Sequence, residues 1–204
     1  MLTQLRDIVD HVAKAESLDD ALALLVKNTR HSMRTECCSV YLMSNDNLRL
    51  ELMATEGLKA KPNTVSLGID EGLVGLVARS CEPLNLANAS VHSSYKYIPS
   101  IAEYKFNSFL ATPIIYRRQN LGVLVVQQKE KRQFTEVEES FLVTLSAQLA
   151  VVLAHAKAHE SWSAHLQTAV IQQKQFKGIS ASNGVGIAPL WFDDAQPKVE
   201  AILP

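Results

Sequence analysis

The chain has 204 residues, of which 47% are hydrophobic and 20% charged, and its formal net charge is -1. That length suits one domain plus an appendage, with enough apolar material for a core. The near-neutral balance argues against a nucleic-acid or anionic-membrane partner, and no unbroken apolar run approaches the ~20 residues that span a bilayer.

The start, from Met1 to Asp7, has no basic stretch followed by an apolar one, so no signal peptide is expected. Three cysteines, Cys37, Cys38 and Cys81, make an odd and low count. This argues against a disulfide framework and predicts a reducing, cytoplasmic setting.

Leu5, Ile8, Val9 and Val12 recur at helical spacing and predict a short first helix. A second is expected from Ser17 or Asp19, with Leu18, Ala21, Leu22, Leu25, Val26 and Thr29 on one stripe. The period then changes to strand-like. Residues 38–43 and 48–54, separated by Asn45-Asp46-Asn47, predict a hairpin. Cys37 and Cys38 would point to opposite faces. Val65-Ser66-Leu67 is a short third strand. A helix follows, with Asp70 or Glu71 as cap, Leu73, Leu76 and Val77 as its buried face, and Gly75 allowing close packing on the sheet.

Leu84 to Leu86 is a short extended piece, and Ala87 to Tyr104 a polar and aromatic loop with one short helix. Residues 109–116 and 121–127 are two further strands; Pro113 marks a bulge or edge, and the second strand is apolar enough to be central. From Thr135 the pattern is helical for about forty residues, opened by a Thr135–Glu138 capping box. Leu142, Leu145, Leu149, Val152 and Ala156 follow a four-three spacing; the first turns of such a helix pack on their own sheet, and because the helix outruns a small sheet the spacing predicts the seam of a parallel homodimer. The spacing continues more weakly through His159, Ser163, Leu166 and Val170. After Gly178 the pattern predicts strand, glycine turn and strand, the opening of another domain.

This order of elements resembles the GAF fold, a PAS-related α+β architecture. It implies an antiparallel sheet flanked by helices, with a long C-terminal signalling helix. The words that carry the resemblance are Glu71 to Ala78, Glu82 to Ala89, Ala111 to Ile114 and Leu121 to Leu124. The stretch Lys177 to Gly184 resembles the first strand of the N-terminal domain of enzyme I, the phosphoenolpyruvate-protein phosphotransferases. A GAF domain before enzyme I is the layout of the nitrogen-related branch. The expected organisation is a GAF sensor at 1–155, a helical linker at 156–176 and the truncated start of an enzyme I domain at 177–204.

The resemblance implies a full-length enzyme that uses magnesium, is phosphorylated by phosphoenolpyruvate on a histidine beyond Pro204, and passes the group to an HPr-like phosphocarrier. The fragment itself would hold no catalytic residue and no cofactor. Glutamine and 2-oxoglutarate are the effectors the family suggests. On the GAF pattern, the pocket lining would include Tyr41, Leu76, Asn88, Tyr97, Ile98, Phe109, Ala111, Thr112 and Val123. Aromatic walls with a few polar groups suit a small polar metabolite.

Two alternatives stand beside this reading. One is a dimerisation module that binds nothing. The other is a cyclic-nucleotide site, for which Gln128-Lys129, Phe134 and Glu138-Glu139 occupy the places of an Asn-Lys, Phe, Asp-Glu pattern. Each polar head there would sit one methylene further out. Gly68, Gly72 and Gly75 lack the Lys-Ser/Thr that a phosphate-binding loop needs. His155 and His159 lack a third ligand on their face, and His92 alone does not specify haem. The cysteines show no resolving arrangement of the kind a methionine sulfoxide reductase would need.

Overall fold

A computed structural model describes residues 6, 8, 15–97 and 106–156, all within one compact unit. Six strands form one antiparallel sheet: β1 (Cys37–Met43), β2 (Arg49–Glu56), β3 (Ser66–Gly68), β4 (Leu84–Leu86), β5 (Ser108–Tyr116) and β6 (Gln119–Gln128). Their order across the sheet is β3-β2-β1-β6-β5-β4. The β1–β2 hairpin and the central place of β6 agree with the sequence pattern. Pro113 lies on β5 beyond the stretch that pairs with β4, so its missing N–H breaks no ladder bond there.

Helix α1 (Leu18–Met33) starts at Ser17, whose hydroxyl accepts the Asp20 amide at 3.1 Å. Ala21, Leu22, Leu25, Val26 and Thr29 are buried along one stripe, as expected. Helix α2 (Gly72–Ser80) buries Leu73, Val74, Val77 and Ala78. Leu76 is only half-buried, because it lies on the flank of that face. Glu71 is the N-cap residue of α2, as expected, but neither acid's side chain caps the helix. The Glu71 carboxylate turns back to the Gly68 amide and Asp70 pairs with Arg79. Gly75 is needed at a different contact from the one expected: a Cβ there would stand 2.5 Å from the Ile69 carbonyl oxygen, in the loop before the helix.

Helix α3 (Glu136–Ala156) is long and apolar enough, by length and composition, to cross a membrane. Its apolar side is instead occupied within the domain. Phe141, Leu142, Leu145, Leu149, Ala150 and Leu153 pack with α1 residues and with Cys38, Val40, Leu110 and Leu124 of the sheet. This corrects the predicted seam. Leu142, Leu145 and Leu149 are at most 1% exposed inside a single chain, so they have no surface left for a partner helix. Val152 is partly buried against the same core, and Ala156 is half-buried at the end of the described helix. The outward side carries Val143, Ala147 and Val151. Of the predicted first helix only Arg6 and Ile8 are described, both helical, with Ile8 in this core. The continuation of the seam past Ala156, the linker and the segment 177–204 lie outside the described residues.

Strand alternation divides the interior in two. Leu110, Ile114, Leu124 and Val126 face the α1 and α3 side, while Tyr41, Leu52, Phe109, Ala111, Val123 and Val125 face the α2 side.

Candidate functional site

The α2 side holds an internal cavity. It is lined by Leu67, Leu73, Val74, Ala89, Phe106 and Phe109, with polar or charged Glu71, Tyr95, Lys96 and Gln127. As it stands it measures about 20 Å³, room for one water molecule.

Each polar group is placed by its element. Gln127 follows Val123 and Val125 at strand period on the α2 face of β6, and it is 5% exposed. Glu71 stands at the start of α2, where its second oxygen accepts the Gly68 amide at 3.0 Å. Lys96 reaches its other oxygen at 2.6 Å. The Lys96 ammonium and the Gly68 amide hold the Glu71 carboxyl below the usual carboxylate range. Gly72, beside Glu71, has φ +69°, which glycine adopts at no steric cost. The cavity therefore has an apolar body, one buried amide and one opposite-charge pair at its rim.

Of the residues the sequence assigned here, Phe109 lines the cavity, and Tyr41, Ala111 and Val123 lie in the buried cluster around it. Thr112 does not belong to it. It follows Ala111 in a strand, so it faces the opposite side, where its hydroxyl meets Ser146 of α3 at 2.5 Å. Leu76 lies outside the lining. Asn88 faces the surface and accepts a bond from the Ser90 hydroxyl. Tyr97 is 48% exposed; Tyr95, two residues earlier, takes the aromatic place. Ile98 lies outside the described residues.

The acidic pattern after β6 builds the start of α3 and touches no part of the cavity. The Thr135 hydroxyl accepts the Glu138 amide, and Glu138 accepts the Thr135 amide at 2.8 Å, closing the predicted capping box. Arg132 grips Glu138 with two bonds, at 2.8 and 2.9 Å, and its guanidinium lies 4.6 Å over the Phe134 ring. This Arg132 contact holds the Glu138 carboxyl below its ordinary range. Glu139 accepts from Asn85. The polar heads that would select a cyclic nucleotide are thus spent on the connection between β6 and α3.

Burial pushes the Cys38 thiol up, which makes it a poor nucleophile. The His92 Nδ1 accepts the Ser94 amide, so that nitrogen serves the loop. A wider groove of about 620 Å³ lies at the end of α1 beside Lys27, Arg30, His31 and Arg34. It is an open surface cleft. Its basic side chains complement the helix C-terminus, and Arg30 is already paired with Glu56.

The sequence profile of the GAF domain family matches residues 17–153. A relative from Salmonella typhimurium, described as a phosphoenolpyruvate-dependent phosphotransferase system protein, is 50% identical over 99% of this chain. The chain spans only 26% of that relative's length. Among solved structures, the GAF domain of a phosphoenolpyruvate-protein phosphotransferase from Acinetobacter is 44% identical, with a TM-score of 0.71. It aligns over 78% of this chain and 96% of its own. The corresponding GAF domain from Coxiella burnetii is 40% identical over the same shares, with a TM-score of 0.75.

Proposed function

The chain belongs to the GAF domain family, in the branch found in phosphoenolpyruvate-protein phosphotransferases, and from that premise we propose that it is the metabolite-sensing region of such an enzyme. The sensed molecule is a small polar metabolite of nitrogen status, glutamine or 2-oxoglutarate. It acts on autophosphorylation of catalytic domains that lie outside this chain. The observation that carries this reading is the cavity with Gln127 at its wall and the Glu71–Lys96 pair at its rim.

The charges at that rim bear on which ligand enters. A ligand inserted between Glu71 and Lys96 must replace each partner with a charge of its own. A zwitterion offers an ammonium to Glu71 and a carboxylate to Lys96. A dicarboxylate leaves Glu71 facing like charge. The rim therefore favours glutamine over 2-oxoglutarate. Binding requires the pair to open, since the cavity as it stands has room for about one water molecule.

In this proposal the full-length protein is a cytoplasmic homodimer that uses magnesium and an HPr-like carrier at its catalytic domains. The outward side of α3, with Val143 and Val151, is the surface for pairing between copies. The closed cavity favours a second reading, a pairing module that binds nothing. Calorimetric titration separates the two. Glutamine should give heat and raise the melting temperature, and Gln127→Leu should abolish both. Silence towards both glutamine and 2-oxoglutarate would leave the pairing module as the better account.

A further inference from the structure

We propose that Asn85 is the positioning residue through which the state of the cavity reaches the start of α3, an inference that rests on reading the cavity as a sensing site. Strand β4 is three residues long and lies at the sheet edge, paired only with β5. Leu84 and Leu86 pack into the cavity-side cluster. Asn85, between them, projects to the other face. There its Oδ1 accepts the Phe134 amide at 3.1 Å, and its Nδ2 donates to the Phe134 carbonyl at 2.9 Å and to Glu139 Oε2 at 3.0 Å. One side chain thus holds both main-chain groups of the residue before the helix cap, and the first turn of the helix as well. Only this orientation of the amide satisfies all three bonds.

The connector from β6 to α3 has a second tie of a different kind. The Ser108 hydroxyl, on β5, accepts the Arg132 amide at 2.8 Å and donates to the Glu130 carbonyl. Ser108 is fully buried and pairs with Gln128 at the end of the two neighbouring strands, and its hydroxyl also lies 3.4 Å from the Ala87 carbonyl, just past β4. Asn85 is fixed to an edge strand whose apolar residues neighbour the cavity: Leu86 pairs with Phe109, and Ala89, three residues on, is part of the lining. The connector is thus held at two points, a fully buried serine and a short edge strand. A shift of Leu84 and Leu86 as the cavity fills must carry Asn85 with it, because the three residues form one short rigid lever. The start of α3 then turns about Ser108.

The test uses the whole 204-residue chain and amide hydrogen exchange. Exchange at Phe134, Glu138 and Glu139 is read as a ratio to Ala21, an amide at the start of α1 that also opens locally. The ratio compares local openings only, so a change in global stability does not enter it. Leu73→Ala enlarges the cavity without touching Asn85 or α3. In the otherwise native chain it should move the ratio by roughly tenfold, the scale of one hydrogen bond gained or lost. In an Asn85→Ala background the same substitution should move it less than about twofold. Asn85→Asp should uncouple as Asn85→Ala does. It keeps the size but puts a carboxylate against Glu139 and the Phe134 carbonyl, so a merely space-filling role would survive it.

An unchanged ratio in the native background, or an equal change in both backgrounds, overturns the proposal. Should Leu73→Ala fail to fold, the exposed Lys96→Ala replaces it in the same comparison. Calorimetric silence towards glutamine would remove the metabolite reading and leave this ratio standing.

Discussion

The two faces of the sheet use the same strands for different ends. On the α1 and α3 side, two long helices cover apolar residues, and the buried hydroxyls of Thr112 and Ser146 bond to each other. On the α2 side the cover is a nine-residue helix with the segments after it, and the interior keeps a small cavity, a buried amide and an ion pair. One face gives the domain its stability and the other its room for a ligand. Alternation along each strand keeps the two separate, since neighbouring residues such as Ala111 and Thr112 belong to different faces.

That division predicts unequal costs. The largest effect belongs to Leu149→Asp, which places an unpaired carboxylate in the drier core and should cost about 3–5 kcal/mol. Urea denaturation should show the protein unfolded or nearly so. Val151→Asp, two residues on and 44% exposed, should change stability by no more than about 0.5 kcal/mol. If α3 pairs through its outward side, light scattering should then find Val151→Asp monomeric and folded. If Leu149→Asp left a folded monomer, the assignment of that leucine to the chain's own core would fail.

A smaller contrast compares leucines truncated on the two faces. Leu142→Ala should cost about 3–4 kcal/mol, because the site is fully packed and the void cannot relax. Leu73→Ala should cost about 2 kcal/mol, since Leu73 already borders a cavity and gives up fewer contacts. Equal costs, measured by chemical denaturation, would mean that the cavity face is as tightly packed as the other.

Gln127 sharpens the contrast from the opposite direction. Replacing one buried amide by a hydrocarbon of similar size leaves the group it met unpaired, which costs about 1–3 kcal/mol. Gln127→Leu should therefore cost no more than about 3 kcal/mol, leaving the chain folded, while removing any heat of glutamine binding. A large loss of stability would make Gln127 a structural residue.

These differences also explain what could be read from the chain. The strands, the hairpin, the central β6 and the Thr135 capping box follow from local patterns, because period and cap chemistry act over a few residues. The dimer seam did not survive, because Leu142, Leu145 and Leu149 have the same spacing whether they meet a partner helix or their own sheet. The cavity was harder. Phe109 was legible and Thr112 was misplaced, although alternation alone forbids both Ala111 and Thr112 on one face. Gln127 carried a usable signal, a polar residue at the end of the Val123–Val125 face. Lys96 carried none, since its pairing with Glu71 depends on how distant segments meet.

The smallest effect tests whether the helix start belongs to the stable face. Arg132 and Thr135 stabilise the charged form of Glu138, so its folded pKa lies below its unfolded value. The sign follows by linkage: the contribution is fully present above the unfolded carboxylate value, and it is lost as pH falls through the folded one. Glu138→Gln keeps the size and can still accept a bond, but it loses the charge that Arg132 grips with two donors. At neutral pH it should cost about 1 kcal/mol, the usual worth of a helix cap or a charge-assisted bond. Its stability should also fall less steeply on acidification, so the gap between the two proteins should begin to narrow near the reference carboxylate value of about 4.3 and close below the lowered folded one. Denaturation curves taken from pH 7 to pH 3 would show this. A constant gap between the two proteins down to the lowest pH would mean that the Glu138 charge plays no part in holding the helix start, and that the Asn85 and Ser108 ties carry it alone.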